Sequence, residues 1–173
     1  ALKLNPNLEP AQRELALVEG GKRDLQVAAK RVQELRALVQ RDPKNVQYRE
    51  ALARALLRSG QLKEGEAELK ALLDMAPGQV GGNLLMADLR IRQKRVDEAV
   101  PHLRTALRTN PNTLEANVAL ARYLRSQGGR EEALPFYEAA LRINPTIPDL
   151  KLELGIIYAE MGRLNDALRL AQE

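Results

Sequence analysis

Few side chains in this chain could carry out catalysis. His102 is the only histidine among 173 residues, and there is no cysteine. Zinc sites built from imidazoles and thiolates, and enzymes with a cysteine nucleophile, therefore lack their essential groups. No nucleophile or ligand set converges on His102, so a surface histidine is favoured over a general base. The sequence predicts no catalytic residue, no metal ligand and no bound cofactor.

Two other residue patterns could suggest chemistry. Adjacent carboxylates occur at 97–98 and 131–132. Both pairs fall at predicted helix starts, where negative charge complements the helix dipole, so a solvated face is favoured over an acid–base pair. The glycine pairs at 20–21 and 81–82 lack the strand–loop–helix setting and the downstream lysine of a phosphate-binding loop. We therefore expect a protein that is not an enzyme.

Charge and composition exclude further classes of protein. The 27 basic and 23 acidic side chains give a net charge of +4, and aromatic residues make up 3%. This excess is too small to indicate nucleic-acid binding without a clustered basic patch, and base-stacking platforms are improbable. No uncharged apolar run approaches the roughly 18 residues that a membrane span needs. We expect a soluble chain without direct membrane insertion, and the compartment is unknown.

The elements that position these side chains follow from an internal repeat. Prolines recur at one constant interval, at 43, 77, 111 and 145. A large apolar residue followed by a small one keeps the same period, at 52–53, 86–87, 120–121 and 154–155. A second small residue returns at 65, 99, 133 and 167. Apolar residues at three- and four-residue steps on both sides of a glycine turn predict one helical hairpin per repeat.

The helix boundaries follow from the same period. First helices are expected over 10–20, 46–59, 80–92, 113–127 and 147–161, and second helices over 24–41, 62–75, 96–109, 130–143 and 164–173. The proline ends each second helix because it lacks an N–H and disfavours helix in the residue before it. One hairpin cannot bury its own apolar face, so neighbouring hairpins must stack.

These motifs resemble the tetratricopeptide repeat. Residues 154–158 with 162–168, and residues 128–134 with 140–145, are close to its consensus. The resemblance implies an all-α fold, a right-handed superhelical solenoid of about five stacked hairpins forming a single domain over 1–173. The units would cover 7–45 (divergent), 46–79, 80–113, 114–147 and 148–173 (truncated). The first unit departs from the family consensus at Glu19 and at Gly20-Gly21. In the third unit, Arg90 replaces an expected tyrosine or leucine.

The resemblance also implies a binding surface, because the first helices of such proteins line a concave groove. Carried onto this sequence, the partner-binding positions are Gln47, Glu50, Arg54, Arg58, Leu84, Leu85, Asp88, Arg92, Glu115, Arg122, Arg125, Asp149, Leu152 and Glu153. The arginines at 54, 58, 92, 122 and 125 could form a basic stripe for an acidic peptide. An ordinary solvated face is the alternative, since arginine is abundant throughout the chain.

Two functions fit this sequence. The first is a non-catalytic scaffold or adaptor that binds a peptide or partner subunit in the concave groove. The second is a substrate- or partner-recruiting arm of a larger enzyme or of an envelope or secretion assembly. Binding of nucleic acid is disfavoured because arginines and carboxylates alternate along the groove. Ala1–Pro6 matches Ala140–Pro145 in repeat phase, so we expect a segment of a longer array or head-to-tail self-association.

Overall fold

The computed structural model describes residues 26–172, apart from the side chain of Pro148. The predicted helix over 10–20, the departures at 19–21 and the Ala1–Pro6 segment lie outside the described residues. Within the described residues all regular secondary structure is helical.

The helices follow the predicted hairpin pattern. The described part of α1 covers residues 26–41. The first helices of the hairpins are α2 (Val46–Arg58), α4 (Val80–Arg92), α6 (Leu114–Ser126) and α8 (Pro148–Glu160), and the second helices are α3 (Leu62–Met75), α5 (Val96–Thr109), α7 (Arg130–Ile143) and α9 (Leu164–Gln172). From the end of α1 to the start of α9, each boundary lies within a residue or two of its predicted place, because prolines and turn residues mark the ends locally. No described helix is long and apolar enough to cross a membrane.

Side-chain caps begin two of the first helices. The side chain of Asn45 accepts a hydrogen bond from the Tyr48 N–H at 3.1 Å. Gln79 caps Gly82 in the same way at the start of α4. Each cap satisfies one of the N–H groups that a helix leaves without an intrahelical partner.

The two helix prolines differ from the sequence-based expectation. From the repeat alone, Pro101 and Pro135 are predicted to fall early in the second helices, where a missing N–H is least costly. Instead both lie inside their helices, five residues after Val96 and Arg130 respectively. Only the first four N–H groups of a helix lack an intrahelical acceptor, so each proline removes one backbone hydrogen bond.

The chain divides into two compact bodies, Ala1–Lys70 and Ala71–Glu173. In the first body, Val32, Leu35 and Val39 of α1 form a buried cluster with Leu52 and Leu56 of α2. Gly65 of α3 is small for a steric reason, because a Cβ there would lie 2.7 Å from Leu57 Cδ2. Helices α2 and α3 therefore approach closely at Gly65, as the repeat of small residues predicts.

The second body contains the hairpins α4–α5, α6–α7 and α8–α9, and α5 and α7 also contact the following first helices α6 and α8. The predicted small residues Ala121 and Ala133 are both fully buried in one core cluster. Arg90 also lies in the interior, with 7% of its surface exposed. Its guanidinium reaches Gln93 Oε1 at 2.9 Å and Glu98 Oε2 at 3.4 Å, which satisfies the buried charge.

Candidate functional site

The strongest candidate site is a cavity of about 420 Å³ lined by Arg122, Arg125, Ser126, Tyr137 and Glu153. Its side chains come from α6, α7 and α8. Glu153 lies at its centre: Arg122 donates to it from Nη2 at 2.7 Å and from Nε at 3.1 Å. The Tyr137 hydroxyl donates to the other carboxylate oxygen at 2.6 Å. We call this the Glu153 cavity.

Electrostatics hold this network in one charge state. Burial opposes ionisation of Glu153, but the hydrogen bonds from Arg122 and Tyr137 outweigh it and lower the pKa of the carboxyl group. The hydrogen bond to Glu153 raises the pKa of Arg122. Burial, followed by the hydrogen bond to Glu153, raises the pKa of Tyr137 to about 12. Near neutral pH the cavity wall therefore carries a fixed ion pair beside a neutral phenol.

A second candidate lies within the first body. Its cavity of about 370 Å³ contains all four predicted residues of α2, Gln47, Glu50, Arg54 and Arg58, and is also lined by Arg31, Leu35, Ala51 and Ala55. Arg54 pairs with Glu50 one helical turn away. Arg58 makes no ion pair with a described carboxylate. We call this the α2 cavity.

The other predicted site residues line neither cavity. Leu84, Leu85 and Asp88 are half-buried, and Leu84 packs against a core cluster. The exposed positions are Arg92, Glu115, Asp149 and Leu152. Leu152 has 67% of its surface exposed, which is high for a large apolar side chain.

Much of the predicted basic stripe is neutralised within the predicted set itself. Arg92 pairs with Asp88 at 2.8 Å, as Arg54 does with Glu50 and Arg122 with Glu153. Only Arg58 and Arg125 make no ion pair with a described carboxylate. Preference for an acidic partner therefore depends on two arginines rather than five, and it stays a prediction.

Sequence reasoning missed a set of turn-locking side chains at the fourth position of successive first helices. Asn83 Nδ2 donates to the carbonyls of Pro77 and Gln79 at 2.8 and 2.9 Å. Asn117 repeats this with Pro111 and Thr113 at 2.9 Å each, and Arg49 Nε donates to the carbonyl of Pro43 at 2.9 Å. The available signal was the recurrence of a long or polar hydrogen-bond donor at the same place in each repeat.

His102 was expected on the surface, and it is half-buried. Its Nδ1 lies 3.0 Å from Asn83 Oδ1. Because Asn83 Nδ2 faces two carbonyls, its Oδ1 is the acceptor and the imidazole donates from Nδ1. Burial, and then the charge of Arg90, lower the pKa of His102. Among the described residues, no group of three histidine or carboxylate side chains could hold a metal ion.

Comparison with known proteins identifies the repeat. A family model described as tetratricopeptide repeat matches residues 13–80 and 84–148, and a second with the same description matches 124–173. No curated protein sequence matches the chain.

Similar solved structures show the same fold. One MamA structure has a TM-score of 0.70 at 18% identity, covering 87% of this chain and 88% of that chain. MamA AMB-1 has a TM-score of 0.66 at 22% identity, covering 93% and 92%. Pseudomonas aeruginosa pilF has a TM-score of 0.67 at 19% identity, covering 84% and 71%. At these identities the likeness concerns the fold alone, and the predicted all-α solenoid of stacked helical hairpins is confirmed.

Proposed function

The chain belongs to the tetratricopeptide repeat family, and we propose that it is a non-catalytic scaffold that binds a protein partner through its first helices. We propose two separate binding sites, the α2 cavity in the first body and the Glu153 cavity in the second. Stacked hairpins suit this role because each one adds a helix face to an extended binding surface.

The observation that carries the proposal is the composition of the Glu153 cavity. Arg122 and Tyr137 hold the Glu153 carboxylate in place, so a partner meets a rigid wall and orders few side chains on binding. Arg125 lies beside the Tyr137 hydroxyl and its charge also acts on Glu153, but it makes no ion pair with a described carboxylate, so it can still bind a partner carboxylate. A peptide that places a carboxylate on Arg125 and an N–H donor on Glu153 would match both charges.

The α2 cavity also supports partner binding, but the residue types that line it differ from those of the Glu153 cavity. Leu35, Ala51 and Ala55 provide an apolar floor. Arg58 lies at the rim, where its charge stays hydrated. Such a cavity suits an apolar side chain flanked by an acidic residue.

Site-specific photo-crosslinking tests the proposal. A photo-reactive phenylalanine analogue placed at Ser126 would lie in the Glu153 cavity, and the same analogue at exposed Lys63 of α3 serves as the control. We expect Ser126 to trap a defined protein in cells of the source organism, identified by mass spectrometry. The same products at both positions would contradict a specific site.

A charge reversal then tests the chemistry. Arg125→Glu should weaken binding of the trapped partner by about tenfold or more, since it places a carboxylate next to Glu153. Arg104→Glu, on an exposed position of α5, should leave the affinity unchanged. Equal affinities of the two variants would remove the proposed role of Arg125. The identity of the partner decides between a scaffold and a recruiting arm of a larger enzyme or of an envelope or secretion assembly.

A further inference from the structure

A further cavity in the second body is lined mainly by side chains of the second helices α5 and α7. It has a volume of about 650 Å³. Its apolar lining includes Leu107 of α5 and Pro135, Phe136, Ala139 and Ile143 of α7. We call it the second-helix groove. Three polar residues also line it: Asn112 in the turn after α5, Asn117 of α6 and Arg142 of α7.

The preceding repeats explain what is unusual about this groove. In two preceding hairpins the fourth residue of the first helix pairs with a residue 19 positions later. In the first body Arg49 Nη1 meets Glu68 Oε2 at 2.7 Å. In the next repeat Asn83 Oδ1 faces His102 Nδ1 at 3.0 Å. In both hairpins the polar group on the first helix is matched by a polar group on the second.

The fourth repeat lacks this polar pair between its first and second helices. Asn117 occupies the Asn83 position, but Phe136 occupies the His102 position and has no N–H to donate. Asn117 is 3% exposed, and its Nδ2 is committed to the carbonyls of Pro111 and Thr113. Its Oδ1 accepts no hydrogen bond from a described residue.

This oxygen is nevertheless not sealed in the interior. Every fully buried side-chain nitrogen or oxygen in the described part of the chain has a hydrogen-bond partner. The Asn117 Oδ1, which has none, must therefore be accessible, and the cavity that Asn117 lines is the second-helix groove. A buried amide whose acceptor opens into an apolar groove gains most from a ligand that brings an N–H.

The other residues that line the groove indicate which class of ligand it could bind. Phe136 offers an aromatic ring for edge-to-face contact. Arg142 makes no ion pair with a described carboxylate, and a guanidinium is attracted most strongly to the face of an indole. An indole combines a large apolar ring with a single N–H donor, so it matches Asn117, Phe136 and Arg142 together. We propose that the second-helix groove binds a tryptophan side chain of a partner protein, with its indole N–H donating to Asn117 Oδ1.

The composition of the chain bears on which protein could provide the tryptophan side chain. The chain contains no tryptophan. A second copy of these 173 residues therefore cannot supply the proposed side chain. The groove is also separate from the Glu153 cavity in its lining residues, so failure of one proposal leaves the other standing.

Two small molecules test the hydrogen bond directly. Indole and 1-methylindole are titrated into the full chain while the methyl NMR signals of Leu107 and Ile143 are followed. We expect both signals to shift with indole, and 1-methylindole to bind about tenfold more weakly because it cannot donate. Equal affinities, or shifts that exclude these two methyl-bearing residues, would overturn the proposal.

A substitution from the neighbouring repeat provides a sharper test. Phe136→His introduces the imidazole that His102 provides to Asn83, so it should satisfy Asn117 internally and abolish the preference for indole over 1-methylindole. Phe136→Leu brings no donor and should keep that preference. Circular dichroism verifies that both variants fold. A preference that survives in the histidine variant would show that Asn117 is not the acceptor.

Blocked amino acids extend the test to the proposed side chain. N-acetyltryptophanamide should bind more tightly than N-acetylphenylalaninamide. Arg142→Gln should weaken the tryptophan derivative several-fold, whereas Arg108→Gln, one repeat earlier on α5, should have no effect. Light scattering provides the counter-test. If the free chain self-associates and Ala139→Leu dissociates it, the groove is a contact between copies and the proposal is wrong.

Discussion

At the residue scale, polar side chains in the interior act by closing the turns between repeats. The fourth residue of α2, α4 and α6 donates to the carbonyl of the proline six positions earlier. That carbonyl follows the end of the previous second helix and has no helical partner. One side chain per repeat therefore joins the start of a first helix to the turn before it.

Replacing one of these side chains should destabilise the fold. Asn83→Ala removes two hydrogen bonds to backbone carbonyls and leaves His102 Nδ1 without its acceptor. We expect a loss of about 1–3 kcal/mol in the free energy of unfolding, measured by urea denaturation. Asn165→Ala, at an exposed position of α9, is the control and should change it little. Equal midpoints for both variants would contradict a role for Asn83.

The single histidine makes the stability depend on pH in a predictable window. The pKa of His102 is lowered in the folded chain by burial and then by Arg90. The unfolded chain therefore binds a proton first as the pH falls below the ordinary value of about 6.5. Stability should be full above that value and should decline as the pH falls through the folded pKa.

Thermal melts at about pH 7.5 and about pH 5.5 test this difference, because ordinary carboxylates titrate mostly below that range. His102→Gln keeps an N–H donor for Asn83 and should remove most of the pH dependence. An unchanged pH dependence in that variant would assign it to another group.

At the element scale, the turns inside the hairpins share one backbone conformation. Gly60, Lys94, Gly128 and Gly162 all have positive φ, and they recur at the interval of the prolines. The lysine is the exception, with φ of 61°. A side chain in this left-handed region is strained by contact between its Cβ and the following carbonyl, whereas glycine is not.

Lys94→Gly should therefore stabilise the chain. Relief of the left-handed strain is worth about 1–2 kcal/mol, less the greater flexibility of glycine in the unfolded chain, so we expect a net gain of about 1 kcal/mol. Lys63→Gly, within α3, should have the opposite effect because glycine is a poor helix former. Differential scanning calorimetry would show the two melting temperatures moving in opposite directions. A lower melting temperature for Lys94→Gly would contradict the argument.

The close approach of helices within a hairpin gives a second prediction at this scale. Ala133 is completely buried in a cluster that also contains Ala121. Ala133→Leu adds a branched side chain where there is no space, and should cost about 1–3 kcal/mol. Ala159→Leu, on an exposed position of α8, is the matched control. An unchanged urea midpoint for Ala133→Leu would mean that the assigned register of the hairpin is wrong.

At the scale of the whole molecule, α9 presents an apolar stripe to solvent. Leu164 and Leu168 have 61% and 62% of their surfaces exposed. Their counterparts in α5, Val96 and Val100, are less exposed, and α5 contacts the first helix that follows it. The stripe on α9 has the position of a surface that another hairpin covers. The single array over 1–173, with its five units, stays a prediction.

We predict head-to-tail self-association through this stripe at high concentration. Leu168→Glu places a charge in it and should shift the mass measured by light scattering towards the monomer. Leu152→Glu removes an equally exposed leucine from α8 and should not. A strict monomer at millimolar concentration for the unaltered chain would contradict the prediction, and an effect of Leu152→Glu alone would move the contact to the first helices.

The hairpins could be predicted from sequence because their causes are local. Gly60, Gly128 and Gly162 mark turns by their own backbone freedom, and Pro77 and Pro111 end helices by their own missing N–H. Small residues such as Gly65 and Ala133 mark close helix contacts because a larger side chain would not fit. Because the repeat has a constant period, a turn found in one unit predicts the turn in the others. Lys94 could therefore be assigned to a turn although it is not a glycine. The scarcity of histidine and the lack of cysteine likewise follow from the residues present.

The chemistry of the surfaces was decided by the tertiary structure. The position of a residue in a helix predicts which face of that helix its side chain lies on. It does not predict which residue of another helix a long side chain contacts. Arg122 of α6 pairs with Glu153 of α8, and Arg125 on the same helix as Arg122 makes no such pair. His102 meets Asn83 because two helices bring them within 3.0 Å, whereas Phe136 leaves Asn117 open. Such pairings depend on distances and rotamers between separate helices, and these exist only once the hairpins have stacked.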